Sequence, residues 1–155
     1  MADIPQVKTW LDPEEPDYAA AARTLGAAAL PALKQLIGGA DLALASKATY
    51  LASLIPHPDA TTALRLAQGR SEPLMRVAAA AGIRNLAPAH GEALFDALQH
   101  DPDAGVRKVA LSAAATLTSP AMLQRLRALS TSDPEPHLRE LAGALLRSGG
   151  GGGQP

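Results

Sequence analysis

Apolar residues fall along this chain at helical spacing, and turn signals interrupt them at a steady interval. The turns at Asp12-Pro13, Gly39-Ala40-Asp41, Arg70-Ser71-Glu72-Pro73, Asp101-Pro102 and Asp133-Pro134 recur about every 30 residues. Such a period marks stacked helix pairs, each too small to bury its apolar face alone. Between the turns the spacing predicts shorter helices at 30–37, 60–68, 91–99 and 121–129. Each is followed by a longer one at 42–55, 73–86, 103–117 and 135–147, and a further helix is predicted at 16–25. Ile4, Val7, Trp10 and Leu11 place one apolar stripe on residues 1–11, which read as a cap segment with Trp10 as the anchor that seals the open end of the core. Residues 12–147 form the repeat domain. The run from Ser148 to Pro155 reads as a flexible glycine-rich tail.

The longer helices align on Arg76, Arg107 and Arg139. One position before these come Met75, Val106 and Leu138, and three positions after come Ala79, Ala110 and Ala142. Further on lie Gly82 and Ile83, Ala113 and Ala114, and Leu145 and Leu146. At 100° per residue these positions share a face, so they are the expected core. The opposite face carries Val77, Ala81 and Arg84; Lys108, Ser112 and Ala115; and Glu140, Ala144 and Arg147. The helix at 42–55 breaks the register: matching Lys47 to the arginines would bury Ser46, Thr49 and Ser53. Sliding by one buries Ala45, Ala48, Ala52 and Ile55 instead, the register expected on grounds of apolar burial.

Proline placement fits these boundaries. Pro31, Pro73, Pro120 and Pro136 fall near predicted helix starts, where a missing N–H costs little, while Pro56, Pro58 and Pro88 follow predicted helix ends. Gly38-Gly39 reads as a helix stop through the left-handed conformation.

Composition narrows the function classes. With 47% hydrophobic but only 3% aromatic residues, a chain of 155 residues can bury a core, but a thin one built from alanine and leucine. Fourteen basic residues against 15 acidic ones give a net charge of -1, which supplies no field for nucleic acid or anionic lipid. Without cysteine there is no disulfide and no thiolate chemistry. Neither a signal peptide nor a membrane span is read, and the expected location is cytoplasmic.

Leu30-Pro31-Ala32-Leu33-Lys34-Gln35-Leu36-Ile37 with Gly38-Gly39-Ala40-Asp41, and Asp101-Pro102-Asp103-Ala104-Gly105-Val106-Arg107-Lys108-Val109-Ala110, resemble the short HEAT-like repeats of HEAT-repeat proteins and phycobilin lyases. The resemblance spans about residues 12–147. It implies an all-α fold, a right-handed α-solenoid of four to five antiparallel helix pairs whose second helices line a concave, partner-binding surface. It is weak for activity, since such repeats serve scaffolds, adaptors, lyases and some DNA glycosylases.

The candidate chemistry divides accordingly. Arg76, Arg107 and Arg139 are a possible ladder for a ligand carboxylate or phosphate, because the guanidinium fork suits such groups. Asp101 and Asp133 in the turns six residues earlier offer a simpler account, in which each arginine reaches back to a turn carboxylate or to an adjacent unit. His57, His90, His100 and His137 lie at helix ends without metal-site spacing, and no metal site is expected. Glu92 and Asp96 share a helix face without an apolar pocket to split their pKa values. No serine sits in a nucleophile elbow, and no glycine-rich loop joins a strand to a helix. No catalytic residue and no cofactor are expected. The reading favoured is a non-catalytic scaffold or adaptor binding a protein or peptide through Arg84, Lys108, Ser112, Glu140 and Arg147. Its alternatives are a lyase-like enzyme or accessory subunit handling a tetrapyrrole or other small molecule, and nucleic-acid binding.

Overall fold

In the computed structural model, which describes residues 2–150, the chain enters its first helix through a reciprocal cap. The Gln6 N–H donates to Asp3 Oδ1 and the Asp3 N–H donates to Gln6 Oε1, both at 3.0 Å, which satisfies two otherwise orphaned groups at the start of α1 (Ile4–Leu11). Asp17 caps α2 (Tyr18–Leu25), which runs through Gly26, at a φ of 61°, into a 3-10 turn over Gly26–Ala29. Next come α3 (Leu30–Ile37) and α4 (Leu42–Ser53), the latter capped by Asp41. His57 caps α5 (Pro58–Gln68) through Nδ1, which accepts from the Asp59 N–H at 3.0 Å. After α6 (Pro73–Gly82) and α7 (Pro88–Leu98) come α8 (Ala104–Ala113), capped by Asp103, α9 (Pro120–Ser132), capped by Ser119, and α10 (Pro136–Gly150).

Two rows of helices result. Helices α1, α3, α5 and α7 touch in succession, as do α2, α4, α6, α8 and α10, and each odd-numbered helix packs on the even-numbered one after it. The described residues contain no strand, so the fold is all-helical and consistent with an α-solenoid. Each turn with its two flanking helices makes one unit, and the core runs unbroken from Val7 in the first unit to Ala142 in the fifth. None of the described helices is long and apolar enough to cross a membrane.

The aligned core positions behave alike in the two inner units. Met75, Ala79 and Ile83, and Val106, Ala110, Ala113 and Ala114, are all buried. In the last described unit Leu138 and Ala142 are buried but Leu145 and Leu146 are only half-buried, with no further unit among the described residues to cover them. In α4, Ala45, Ala48 and Ala52 are buried, as is Ile55 just beyond its end, and so are Thr49 and Ser53, which satisfy their hydroxyls on the Ala45 and Tyr50 carbonyls at 2.8 and 2.6 Å. Two registers are thus compatible on one helix, because small hydroxyl residues can back-bond within it.

Several boundaries differ from the sequence reading. The helices predicted at 73–86 and 103–117 stop being α-helical at Gly82 and Ala113 and finish as 3-10 turns over Ile83–Asn85 and Ala114–Thr116. The tighter winding gives the final carbonyls partners before the chain turns away. Pro58 and Pro88 come after helix ends, as expected, but they also open α5 and α7, where proline is pre-organised. Gly38 ends α3 at a φ of -83°, in the right-handed region. The expected tail begins too early: α10 continues through Ser148 and Gly149 to Gly150. A methyl at 149 would meet Leu123 and Thr118 at ordinary packing distance, 3.4 and 3.5 Å, so α9 and its approach support this last turn. Residues 151–155, the rest of the expected tail, lie outside the described residues.

Candidate functional site

The residues that carry charge into the interior do so at the joints between units. The Arg76 Nε–H donates to Asp101 Oδ2 at 2.7 Å and Nη2–H donates to Asp101 Oδ1 at 3.2 Å, a two-pronged grip from the third unit onto the turn of the fourth. The remaining nitrogen, Nη1, donates to the Arg70 and Ser71 carbonyls of its own turn at 3.1 and 2.7 Å. One unit later Arg107 repeats the arrangement. Its Nε–H and Nη2–H donate to Asp133 at 3.0 and 3.3 Å, and Nη1–H donates to the Asp101 carbonyl at 2.7 Å. The hydrogen bonds to Asp101 raise the pKa of Arg76 above its ordinary value, against the opposing effect of burial.

Both aspartates also shape their turns. Asp101 Oδ1 accepts from the Asp103 N–H, and Asp133 Oδ1 from the Glu135 N–H, each at 2.9 Å. This local bond is the Asx turn that an Asp-Pro-acid sequence favours. The arginine therefore meets its own turn through a backbone oxygen and the next turn through a carboxylate. Arg139 donates through Nη1 to the Asp133 carbonyl at 2.7 Å, in the same manner as Arg107 to Asp101. Its Nε and Nη2 have no partner among the described residues.

The earlier joints run in the opposite direction, a feature absent from the sequence reading. Lys47 reaches back to the Leu11 and Pro13 carbonyls of the first turn at 3.1 and 2.9 Å. Arg70 donates through Nη1 to the Ile37 and Gly39 carbonyls, both at 2.7 Å, while Nε and Nη2 hold Glu72 at 3.0 Å. This hydrogen bonding, first of all, lowers the pKa of Glu72. Lys47 keeps the six-residue spacing from Asp41 that Arg107 keeps from Asp101, and that spacing was the available signal. Its carbonyl acceptors leave no mark in a sequence, because any residue supplies them.

Glu92 and Asp96 are also structural. Arg125 on α9 pairs with Asp96 at 3.1 Å and approaches Glu92 at 3.6 Å, and the Ser119 hydroxyl donates to Glu92 at 2.8 Å. Lys34 and Asp59 link α3 to α5 at 3.4 Å. Tyr18 and Tyr50, far apart in sequence, meet edge to face with ring centroids 5.0 Å apart. Burial, with a smaller effect from Tyr50, raises the pKa of the Tyr18 phenol. Trp10 is half-buried against the core and lines an open cavity of about 460 Å³ with Gln6, Thr9, Thr24 and Leu25.

Arg84, Lys108, Ser112, Glu140 and Arg147 are all exposed. Lys108 and Ser112 lie on α8 and Glu140 and Arg147 on α10, whereas Arg84 lies in the 3-10 turn after α6. None of the five side chains has a hydrogen-bond or ionic partner among the described residues. The described residues contain no group of three or more histidines and carboxylates placed to hold a metal ion. No family model matches the chain, and a search of curated proteins found no match.

Proposed function

We propose that the chain is a right-handed solenoid of antiparallel helix pairs, of the HEAT-like kind, that serves as a non-catalytic scaffold or adaptor for a protein or peptide partner. The partner lies along the row of second helices and contacts Arg84, Lys108, Ser112, Glu140 and Arg147. One observation carries this reading. Arg76 and Arg107 spend their donors on turns, whereas these five polar side chains stand exposed and unpaired on successive elements of one row. Mixed charge on an alanine-rich surface suits selection of a partner by electrostatic complementarity. The test is affinity capture by the wild type and by the Arg84→Glu, Lys108→Glu, Arg147→Glu triple variant. The reading expects a protein captured by the wild type to be lost from the variant, and undiminished capture overturns the assigned face.

A second reading, small-molecule handling, draws support from a different place. A cavity of about 540 Å³ between α2 and the end of α4 is lined by Ala19, Ala22, Ala27, Leu54, Ile55 and Pro56, with Arg23 and Gly26 at its side. A mostly apolar wall with one cation fits an apolar carboxylic acid. Native mass spectrometry of the purified chain tests it, and a ligand-free spectrum together with no binding of fatty or aromatic acids counts against it.

A further inference from the structure

The two ends of the described stack carry complementary halves of the joint that links its inner units. At one end is Arg139, held by Nη1 on the Asp133 carbonyl as Arg107 is held on Asp101. In Arg76 and Arg107 the Nε–Nη2 edge is filled by the turn aspartate of the following unit. In Arg139 that edge is unfilled among the described residues, and the residue lines an open cavity of about 440 Å³ together with Ser130, Glu140, Gly143, Leu146 and Arg147. Leu145 and Leu146, at the positions of the buried Ala113 and Ala114, remain half-buried beside it.

At the other end is the turn between α1 and α2, which reads Asp12-Pro13-Glu14. This is the Asp-Pro-acid tripeptide of Asp101-Pro102-Asp103 and Asp133-Pro134-Glu135. Asp101 and Asp133 are each gripped by the arginine one unit earlier, whereas Asp12 is exposed and its carboxylate has no partner among the described residues.

We propose that a second copy of this chain docks end-on, its α1–α2 pair stacking on α9 and α10 of the first, with the Arg139 fork of one copy gripping Asp12 of the next. The two aspartates differ in ψ, which is -41° at Asp12 and 135° at Asp133, so the first turn must re-form on docking. The extended value is the one that residues before proline favour, and the change has to be made against the hold of Lys47 on the Leu11 and Pro13 carbonyls. The ion pair sets the register, and covering Leu145 and Leu146 supplies apolar burial. Because the two surfaces differ, the contact is head to tail and leads to rings or open-ended chains rather than to a closed two-fold dimer.

The experiment is sedimentation equilibrium of the full chain over a concentration series. The expected result is a mass that rises with concentration, with association weakened at least about tenfold, or about 1.4 kcal/mol, by either Arg139→Glu or Asp12→Arg. The two substitutions in one chain restore it, as does an equal mixture of the two single variants. Asp12 is exposed and its side chain makes no hydrogen bond or ion pair among the described residues, so Asp12→Arg stays informative if Arg139→Glu fails to fold. A monomer throughout the series, association indifferent to both reversals, or failure of the double variant to recover overturns the proposal.

Discussion

Arg76 and Asp101, 25 residues apart in sequence, meet through two parallel hydrogen bonds of 2.7 and 3.2 Å. Arg107 and Asp133 repeat the contact at 26 residues, with bonds of 3.0 and 3.3 Å. Each arginine stands six residues beyond its own turn and also holds a carbonyl there. A single side chain thereby fixes two successive turns with respect to one another. The repeat is transmitted along the molecule by this double hold as well as by the apolar seam, which alanine-rich helices keep narrow.

Gly82 at the end of α6 lies close against both α5 of its own unit and α4 of the preceding one. A methyl there would stand 2.6 Å from Leu64 Cδ2 and 2.9 Å from Ser53 Cβ. Alanine gains about 1 kcal/mol of helix propensity over glycine, but overpacking costs about 1–3 kcal/mol. Gly82→Ala is expected to destabilise the fold in urea titrations. Gly143→Ala, where the nearest atom is the flexible end of Arg147 at 3.3 Å, is expected to be neutral or stabilising. Equal gains at both sites would show that α4, α5 and α6 do not approach as described.

Leu117 follows the 3-10 turn after α8, is 4% exposed, and lies against Gly91 of α7. Truncation to alanine is expected to cost about 2–5 kcal/mol, the range for a buried leucine. Chemical denaturation measures it, and a loss under about 0.5 kcal/mol, the range of surface sites, would place Leu117 outside the core.

Burial raises the pKa of Tyr18, so the folded state holds this proton more tightly than the unfolded chain does. Its contribution is fully present below about pH 10, the ordinary tyrosine value, and is lost as pH rises through the folded-state pKa. Tyr18→Phe should therefore lose less stability than the wild type between about pH 8 and pH 11. Parallel alkaline profiles of denaturation midpoint would contradict the assignment.

The period and most helix positions were legible because proline, glycine and aspartate mark turns by backbone chemistry. The helix at 30–37 has the bounds expected from Pro31 and Gly38. The breaks after Gly82 and Ala113 left no mark, since alanine favours continued helix whatever the tertiary setting. Asp101 and Asp133 could be singled out from their turns, but the direction in which Arg76 and Arg107 reach depends on the rise from unit to unit, which periodicity does not encode. Lys47 and Arg70 bind carbonyls of the preceding unit, so no partner residue type could point to them. The exposure of Arg84, Lys108, Ser112, Glu140 and Arg147 follows from the same helical alignment that places Met75, Val106 and Leu138 inside.

The arginine–aspartate joints hold successive units together, and a double-mutant cycle on Arg107 and Asp133 tests this most directly. Their side chains are 9% and 1% exposed, so removing either partner leaves a largely buried charge alone. Arg107→Met and Asp133→Ala are each expected to cost about 3–5 kcal/mol in urea denaturation. The cycle cancels the loss of the Asp133 turn bond, which is common to both of its arms. A coupling energy of about 1–3 kcal/mol is predicted, and costs that add to within about 0.5 kcal/mol would contradict the joint.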